Sequence, residues 1–337
     1  MSPIADSSRY RVLVVTNLWP TEADPGYGSF VQAQMESLRP LGVEFDVLFI
    51  DGRKSKWNYL RAVPTMWRRL REKRYGLIHA HFGWSGWVAR CQLSVPVVVS
   101  FMGDDVLGRF KRSGRITLAG RLMQGSSFVL ARITSAVIVK SRQMKAALRL
   151  DSARVIPNGV DIDLFRPMDQ AEARRALGLE LSKKFVLFPF DPAIENKRHD
   201  LIAAAVDLAR ERALQLEMLY VRGEPRSRMP LYMNAADVLV LASLSEGSPN
   251  ALKEAMAVNL PVVTVEVGDA ADLAGPVEGC FVAPREARAL AGRIVEVCRR
   301  GTRTHGREWI ARLSSENVAK QIVEVYASLP GHPLHRR

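Results

Sequence analysis

One stretch, residues 238–267, limits the possible folds of this chain more than any other. It contains two apolar runs, 238–242 and 261–267, which are typical of buried parallel strands. The segment between them predicts a helix that Ser248 caps, with the following proline in the first helical position. Asn259 can adopt the left-handed conformation that closes a helix. A strand, a helix and a second strand in this order indicate an α/β fold with a parallel sheet.

Two glutamates in this stretch, Glu246 and Glu254, are candidates for ligand binding. Glu246 lies in the loop before the predicted helix, and Glu254 lies inside that helix. The free N–H groups and the dipole at a helix N-terminus favour negative charge or sugar oxygens. The alternative is an acid that complements the dipole, together with a solvated glutamate on the helix. Spacing alone leaves both interpretations open.

The same segment resembles a known signature. EGSPNALKE followed by AMAVNLPVV is similar to the donor site of retaining glycosyltransferases of family 4, and the resemblance covers roughly residues 10–328. The subgroup it resembles builds teichuronic acid or exopolysaccharides. The resemblance implies a GT-B fold, in which two doubly wound, Rossmann-like domains face each other across a cleft. The implied bounds are 1–160 for the acceptor-side domain, 161–315 for the nucleotide-sugar domain, and 316–337 for the tail and a helix that crosses back to the first domain.

The rest of the chain supports such an arrangement, because short apolar runs alternate with helical segments on both sides of Asn158-Gly159. The second half is shorter than the resemblance implies. A helix and a strand that usually precede the segment matching 232–237, and that help to hold the nucleotide base, are absent. The predicted strands are 11–16, 44–50, 76–80, 95–101, 137–140, 154–157, 184–189 and 216–220.

The resemblance also implies roles at the donor site. Lys197, with Arg198 beside it, would neutralise the donor diphosphate. Glu254 would bind the ribose hydroxyls, and Glu246 would act in catalysis by holding the hydroxyls of the donor sugar. No metal ion or other cofactor is expected, because the lysine and the helix dipole would neutralise the charge. For Lys197 the alternative is an ordinary surface charge at the start of a helix. The remaining implied donor-site residues are Gly28, Gly247, Ser248, Pro249 and Asn250.

The first half contributes the other candidates, most of them in residues 101–105. Met102 stands where family enzymes often have a histidine that contacts the donor sugar. The resemblance implies that the leaving phosphate accepts the acceptor's proton, so we expect activity without that histidine. Asp104 and Asp105 follow a strand, and each could either hold substrate hydroxyls as a catalytic residue or cap the next segment. The implied acceptor side of the cleft consists of His81, Met102 and Gly103.

Charge is concentrated in the first half of this chain of net charge +13. The first 165 residues hold 24 Lys and Arg against 13 Asp and Glu. Nine of these cations lie in Arg53–Arg74, interleaved with Trp57, Tyr59 and Trp67. Such a pattern favours an anionic membrane surface, and the alternative is a packed helix with a solvated basic face. Nucleic acid is not expected as a partner, since no recognised binding module accompanies the basic stretch.

Three cysteines without paired spacing favour reduced thiols, and no apolar run approaches the ~18 residues that a membrane span needs. We therefore expect a cytoplasmic protein on the inner face of the cytoplasmic membrane. The expected function is retaining transfer of a sugar from a nucleotide diphosphate to a membrane-associated glycan or lipid-linked acceptor. Two alternatives remain open, a GT-B sugar-nucleotide epimerase and an inactive homologue that binds glycan or partner proteins.

Overall fold

A computed structural model describes residues 10–212, 215–221 and 224–329, which contain two parallel α/β sheets. Residues 1–9 and 330–337 at the two ends of the chain lie outside the described residues, as do residues 213–214 and 222–223. The end of the predicted tail falls in this part. The fold predicted from the sequence, two doubly wound domains with a helix that crosses back, is confirmed. The exact domain bounds at residues 160 and 315 stay a prediction.

The first sheet has six strands in the order β2-β1-β3-β4-β5-β6, all parallel. Val14 at its centre is opposite Val47 and His79. The central strands are apolar on both faces because helices cover both sides of the sheet. The strands are β1 (Tyr10–Thr16), β2 (Val43–Phe49), β3 (Leu77–His81), β4 (Val97–Ser100), β5 (Ala136–Val139) and β6 (Arg154–Val155).

Most helices of the first domain cover one face of this sheet. Tyr59, Val88 and Leu130, from the second, third and fifth helices, pack there against β1 and β3–β5. The other face carries the first helix of the chain and the last one. The helices of the first domain are α1 (Ser29–Glu36), α2 (Trp57–Glu72), α3 (Gly83–Arg90), α4 (Asp104–Leu107), α5 (Leu118–Ile133) and α6 (Arg142–Leu148).

The second sheet has five parallel strands in the order β11-β10-β9-β7-β8. Its strands are β7 (Lys184–Phe188), β8 (Leu216–Tyr220), β9 (Val238–Leu241), β10 (Val262–Thr264) and β11 (Phe281–Val282). Its helices are α7 (Gln170–Ala176), α8 (His199–Arg210), α9 (Met229–Ala235), α10 (Asn250–Ala257), α11 (Ala270–Ala274), α12 (Ala287–Arg300) and α13 (Gly306–Ile310).

The last helix, α14 (Ser315–Ala327), returns to the first domain. Ser314 caps it by accepting a hydrogen bond from the Asn317 amide. Its buried side chains, such as Ile322, pack against β1, and the Tyr326 hydroxyl lies 2.6 Å from His79 Nδ1. The helix therefore ties the end of the second domain to the sheet of the first.

The stretch that anchored the sequence prediction forms β9, α10 and β10. Asn259 has φ 60°, so the predicted left-handed end of the helix is confirmed. The predicted start is wrong. The helix begins at Asn250, and the Ser248 hydroxyl does not cap it but donates to Asp269 at 2.8 Å. Local sequence favours serine as a cap, but a buried carboxylate nearby takes this hydroxyl instead.

Candidate active site

An ion pair between Lys197 and Glu246 lies at the carboxyl edge of the second sheet. Lys197 ends a single 3-10 turn after β7, and Glu246 lies in the loop after β9. These strands are neighbours at the point where the strand order reverses, which is where doubly wound sheets bind ligands. Each side chain is about one-sixth exposed, at 17% for the lysine and 16% for the glutamate. The pair is therefore accessible from the cleft.

Asn196 holds the two loops of this pair together. Its carbonyl accepts from the Leu244 amide at 2.9 Å, and its side chain exchanges two hydrogen bonds with the backbone of Ser245. The Phe190 ring lies 4.2 Å from the Lys197 ammonium on the other side. This framework orients the lysine before any ligand arrives, which sequence reasoning did not anticipate.

Asp104 comes near the ion pair from the first domain, because a Cβ on Gly103, the residue before it, would lie 3.8 Å from the Glu246 carbonyl carbon. Burial raises the pKa of its carboxyl and the Glu246 carboxylate raises it further, while Arg109 and Lys197 act in the opposite direction. The carboxyl has an ionic environment made by both domains, since Lys197 and Glu246 belong to the second. The structure thus brings Asp104, Lys197 and Glu246 together at one place in the cleft.

The two domains touch directly where glycines meet. Gly103 has φ 142°, and a Cβ on it would lie 3.1 Å from the Gly247 amide nitrogen. A Cβ on Gly247 would lie 2.6 Å from the Met102 carbonyl oxygen. Larger residues would separate these loops, so both glycines are needed for the close approach. Met102 itself is half-buried beside this contact.

Asp105 differs from its neighbour, and its contacts favour the structural interpretation of this residue. Its side chain is fully buried and accepts hydrogen bonds from the backbone amides of Met102, Gly103 and Gly83, at 2.9–3.2 Å. Burial raises the pKa of this carboxyl to about 6, against the lowering effect of those amides. Asp105 positions the loop because its oxygens are already occupied by the protein.

Glu254 is also paired in this structure. Arg226 Nη2 lies 2.6 Å from its Oε1, and the Arg226 guanidinium lies 5.5 Å from the Phe165 ring. Arg226 comes from the shortened segment between β8 and α9, so a residue of that segment reaches the candidate ribose-binding carboxylate. The signature that identified Glu254 does not include Arg226, so the sequence did not predict this pair.

Lys253 is a functional candidate that sequence reasoning missed. It is fully buried, and its ammonium donates to Ser248 Oγ at 2.9 Å and to the Asn158 carbonyl at 2.7 Å. Burial lowers its pKa to about 8, partly offset by Asp269 and Glu254. It fixes the donor loop to the interdomain connection, where the Asn158 amide also donates to Asn250 Oδ1 at 3.3 Å. Pro249 lies between these contacts as the residue before α10.

Arg198 is engaged by contacts within the protein, and its role at the donor diphosphate stays a prediction. It has φ 53°, and its guanidinium donates twice to the Asp200 carboxylate, at 3.1 Å each. Arg112 from the first domain pairs with the same carboxylate at 3.0 Å. Arg198 therefore contributes to a bridge between the domains.

The histidine at the acceptor side, His81, is fully buried. Its Nε2 lies 3.2 Å from Gln34 Nε2, and its ring stacks 4.2 Å from that of His79. Burial and the nearby charges of His79 and Lys140 lower its pKa, so the ring is neutral. Its side chain has no exposed surface in this structure, which the alternation of residues on β3 could not reveal.

Lys140 lies just after β5 and is also fully buried. Its ammonium is within reach of no hydrogen-bond acceptor among the described residues. Burial and the charge of Lys253 lower its pKa to about 7, and Asp105 acts in the opposite direction. A Cβ on Gly247 would lie 3.3 Å from the Cβ of Lys140, so Lys140 adjoins the contact between the domains.

Gly28 precedes α1 with φ 71°. A Cβ there would lie 2.2 Å from the Leu18 carbonyl carbon, so glycine is required by the packing of its own loop. The proximity of Gly28 to a donor diphosphate stays a prediction. Within residues 10–212, 215–221 and 224–329, no group of three His, Cys, Asp or Glu side chains could hold a metal ion. In the same part of the chain, no helix has the length and apolarity to cross a bilayer.

Comparison with known proteins assigns each domain to a glycosyltransferase family. The sequence profile of Glycosyltransferase Family 4 matches residues 6–164, and that of Glycosyl transferases group 1 matches residues 201–300. The chain is therefore a glycosyltransferase with one domain of each kind.

Curated relatives of this glycosyltransferase include TuaC of Bacillus subtilis, a protein assigned to teichuronic acid biosynthesis. The two are 26% identical over 84% of this chain and 88% of TuaC. The D-inositol 3-phosphate glycosyltransferase of Corynebacterium urealyticum is 25% identical over 77% of this chain and 73% of that protein.

Solved structures share the fold of this glycosyltransferase. Sucrose-phosphate synthase from Thermosynechococcus elongatus superposes with a TM-score of 0.78 at 21% identity, over 94% of this chain and 98% of that one. HepE of Anabaena, solved with UDP-glucose, superposes with a TM-score of 0.69 at 20% identity, over 95% of this chain and all of HepE. These matches establish the GT-B fold.

Proposed function

We propose that this enzyme transfers a sugar, with retention of anomeric configuration, from a nucleotide diphosphate to a membrane-associated glycan or lipid-linked acceptor in cell-surface glycan synthesis. The observation that carries the donor half is the cluster of Lys197, Glu246 and Asp104 between the domains. Two further observations support it: HepE was solved with UDP and with UDP-glucose, and TuaC is assigned to teichuronic acid biosynthesis.

The cluster can supply what the reaction needs. In this proposal, the Lys197 ammonium leaves Glu246 and stabilises the leaving diphosphate, which gains negative charge as the glycosidic bond breaks. Glu246 then accepts hydrogen bonds from the hydroxyls of the donor sugar and orients it. Asp104 holds a hydroxyl of the donor or of the acceptor in this proposal. The leaving phosphate takes the acceptor's proton, so no further base is required.

The proposal of a membrane-associated acceptor rests on the outer surface of the first domain. Several of the nine cations in Arg53–Arg74 are engaged within the protein: Arg53 with Asp24 at 2.9 Å, and Lys73 with Asp46 at 3.1 Å. Arg61 and Arg71 are exposed and form no ion pair with the described residues. Exposed apolar side chains extend the surface onto α5 and are Leu118, Leu122, Phe128, Val129 and Ile133. Cations next to exposed apolar residues suit a bilayer interface.

The test is to incubate the purified protein with UDP-, ADP- and GDP-sugars, with and without a bacterial membrane fraction, and to follow nucleoside diphosphate release. We expect release from one donor class that depends on membranes, and a product whose anomeric configuration by NMR matches the donor. An inverted product would overturn retention. Interconversion of free nucleotide sugars would identify an epimerase, and an absence of turnover with every donor would favour an inactive homologue.

Membrane association has a separate test. Each lysine or arginine near an anionic surface contributes ~1 kcal/mol, and salt screens the interaction. We expect co-sedimentation with vesicles that contain phosphatidylglycerol, weakened in high salt and weakened further by Arg61→Gln with Arg71→Gln. Arg288→Gln with Arg299→Gln, which changes two exposed arginines of α12 that form no ion pair with the described residues, is the matched control. Equal binding to neutral vesicles at all salt concentrations would contradict the electrostatic part.

A further inference from the structure

An apolar groove of about 430 Å³ lies between α2 and α3 on the outside of the first domain. Its volume is within the ~300–1,000 Å³ range of small-ligand sites. We call it the α2–α3 groove, and its walls are formed mainly by Trp57, Leu60, Val63, Trp84, Trp87 and Cys91.

The groove is open, and its rim is unusually apolar for a surface. Trp57 is 69% exposed, Leu60 is 63% exposed and Trp84 is 48% exposed. Exposed apolar patches of this kind mark sites that an apolar partner covers. Tyr59 forms the inner wall, since its ring packs 6.0 Å from that of Trp84 and closes over Gly52.

One end of the groove lies at the starts of α2 and α3, which follow β2 and β3 at the carboxyl edge of the first sheet. Trp84 directly follows Gly83, and the Gly83 amide donates to the Asp105 carboxylate at 3.0 Å. Asp105 in turn holds the loop through Gly103 that meets Gly247 of the second domain. A molecule lying in the groove would therefore have one end near the contact of the two domains and the rest directed along α2 and α3.

The surroundings of the groove favour an anionic head. None of the described residues that line the groove is acidic, and Glu72 lies at the far end of α2. Lys56 lines the groove, and Lys54 and Arg61 are exposed near it. A phosphate on an apolar chain is thus attracted by charge at the rim, and its chain is removed from water by the walls.

We propose that the α2–α3 groove binds the hydrocarbon chain of the acceptor, a single-chain lipid phosphate whose glycan end lies in the cleft. This inference rests on the proposed function, because it assigns the lipid part of the same acceptor. The groove would keep the hydrocarbon chain of the acceptor out of water. The reacting hydroxyl of each acceptor molecule would then lie at the same position in the cleft.

The chain provides a reporter for this site. Cys91 is exposed in the groove wall, while Cys280 and Cys298 are buried, with pKa values that burial raises to about 11 and about 12. A maleimide at neutral pH will react with Cys91. We expect saturating farnesyl phosphate to slow this reaction at least tenfold and inorganic phosphate to leave it unchanged. An unchanged rate with farnesyl phosphate would overturn the proposal.

Two variants sharpen the experiment. Leu60→Asp places a charge in the groove and should abolish the protection of Cys91, with Leu60→Ala as a milder change that reduces it. Leu181→Asp, at a comparably exposed leucine of the second domain, should leave the protection intact. Protection that survives Leu60→Asp, or labelling that slows with protein concentration as a dimer forms, would overturn the proposal, the latter by identifying a second copy as the occupant.

Donor binding separates this inference from the proposed function. UDP, ADP and GDP affinities should be equal in wild type and Leu60→Asp, because the variant lies outside the donor site. If Cys91 is protected but no nucleotide sugar is turned over, the groove stands and the proposed function fails. If sugar is transferred to membrane acceptors and farnesyl phosphate gives no protection, the proposed function stands and the groove assignment is wrong.

Discussion

The two sides of the cleft differ in how they accommodate buried charge, and Lys253 and Lys140 show the difference. Both are fully buried, but Lys253 donates to Ser248 and Asn158, whereas Lys140 has no hydrogen-bond partner among the described residues. A buried charge without hydrogen-bond partners costs free energy. The second domain avoids this cost because its own groups already bind Lys253, whereas the first domain retains Lys140 without a partner among the described residues. The ion pairs of Glu246 and Glu254 add to this organisation.

Removal of Lys253 should give the largest effect. Lys253→Met leaves the buried Asp269 carboxylate without its nearest cation, since Lys253 is the main group that lowers the raised pKa of Asp269. We expect a loss of about 3 kcal/mol in the free energy of unfolding, measured by urea denaturation. Lys320→Met, which breaks an exposed pair with Glu316 in α14, is the control and should cost less than about 1 kcal/mol. Equal losses of unfolding free energy in Lys253→Met and Lys320→Met would show that the contacts of Lys253 do not organise the second domain.

Lys197→Ala should weaken the binding of the nucleoside diphosphate by on the order of 1–3 kcal/mol, as expected for a lost hydrogen-bonded charge. Isothermal titration with UDP and ADP measures the effect. Lys183→Ala, in the same domain but paired with Glu180 and Glu217 away from the cleft, is the control. Unchanged affinity in Lys197→Ala would exclude the lysine from diphosphate binding.

Lys140→Met should stabilise the protein by on the order of 2 kcal/mol near pH 7, because it removes a buried ammonium that lacks a partner. The pKa of Lys140 is lowered to about 7 in the folded protein, below its unfolded value. Its penalty is complete below pH 7 and disappears as pH rises toward the unfolded pKa. The difference between variant and wild type should therefore shrink between pH 7 and 10. The neighbouring groups are Asp105, Lys253, His79 and His81.

Denaturation curves at several pH values check this prediction. Lys253 has a pKa of about 8, so wild type and Lys140→Met should both gain stability over part of this range, and only the difference is informative. A variant that is less stable than wild type at pH 7 would show that Lys140 has a stabilising partner.

The smallest effects should separate the two neighbouring aspartates. Asp105→Asn should cost about 1–2 kcal/mol of stability, since its new amide would face backbone N–H groups. Asp104→Asn should leave unfolding unchanged and lower turnover about tenfold, which corresponds to about 1.4 kcal/mol in the barrier. Transfer assays and thermal melts of both variants provide the check. If both keep full turnover, neither carboxylate takes part in catalysis.

The sequence was sufficient for the architecture. Each predicted strand is present in one of the two sheets. Buried parallel strands are continuous apolar runs, and such runs can be recognised in the sequence. Glu246 and Lys197 could be named in advance because their types and positions match the donor signature, although their roles remain proposals.

The pairing of the polar residues became visible in the folded protein alone. Ser248 serves Asp269 and Lys253 instead of a helix end, Glu254 is held by Arg226, and Asp105 supports a loop while its neighbour Asp104 faces the cleft. Most of these partners come from distant parts of the chain, so periodicity and local propensity cannot predict them. A hydrogen bond or an ion pair depends on distances of a few ångströms between side chains, and folding alone sets those distances.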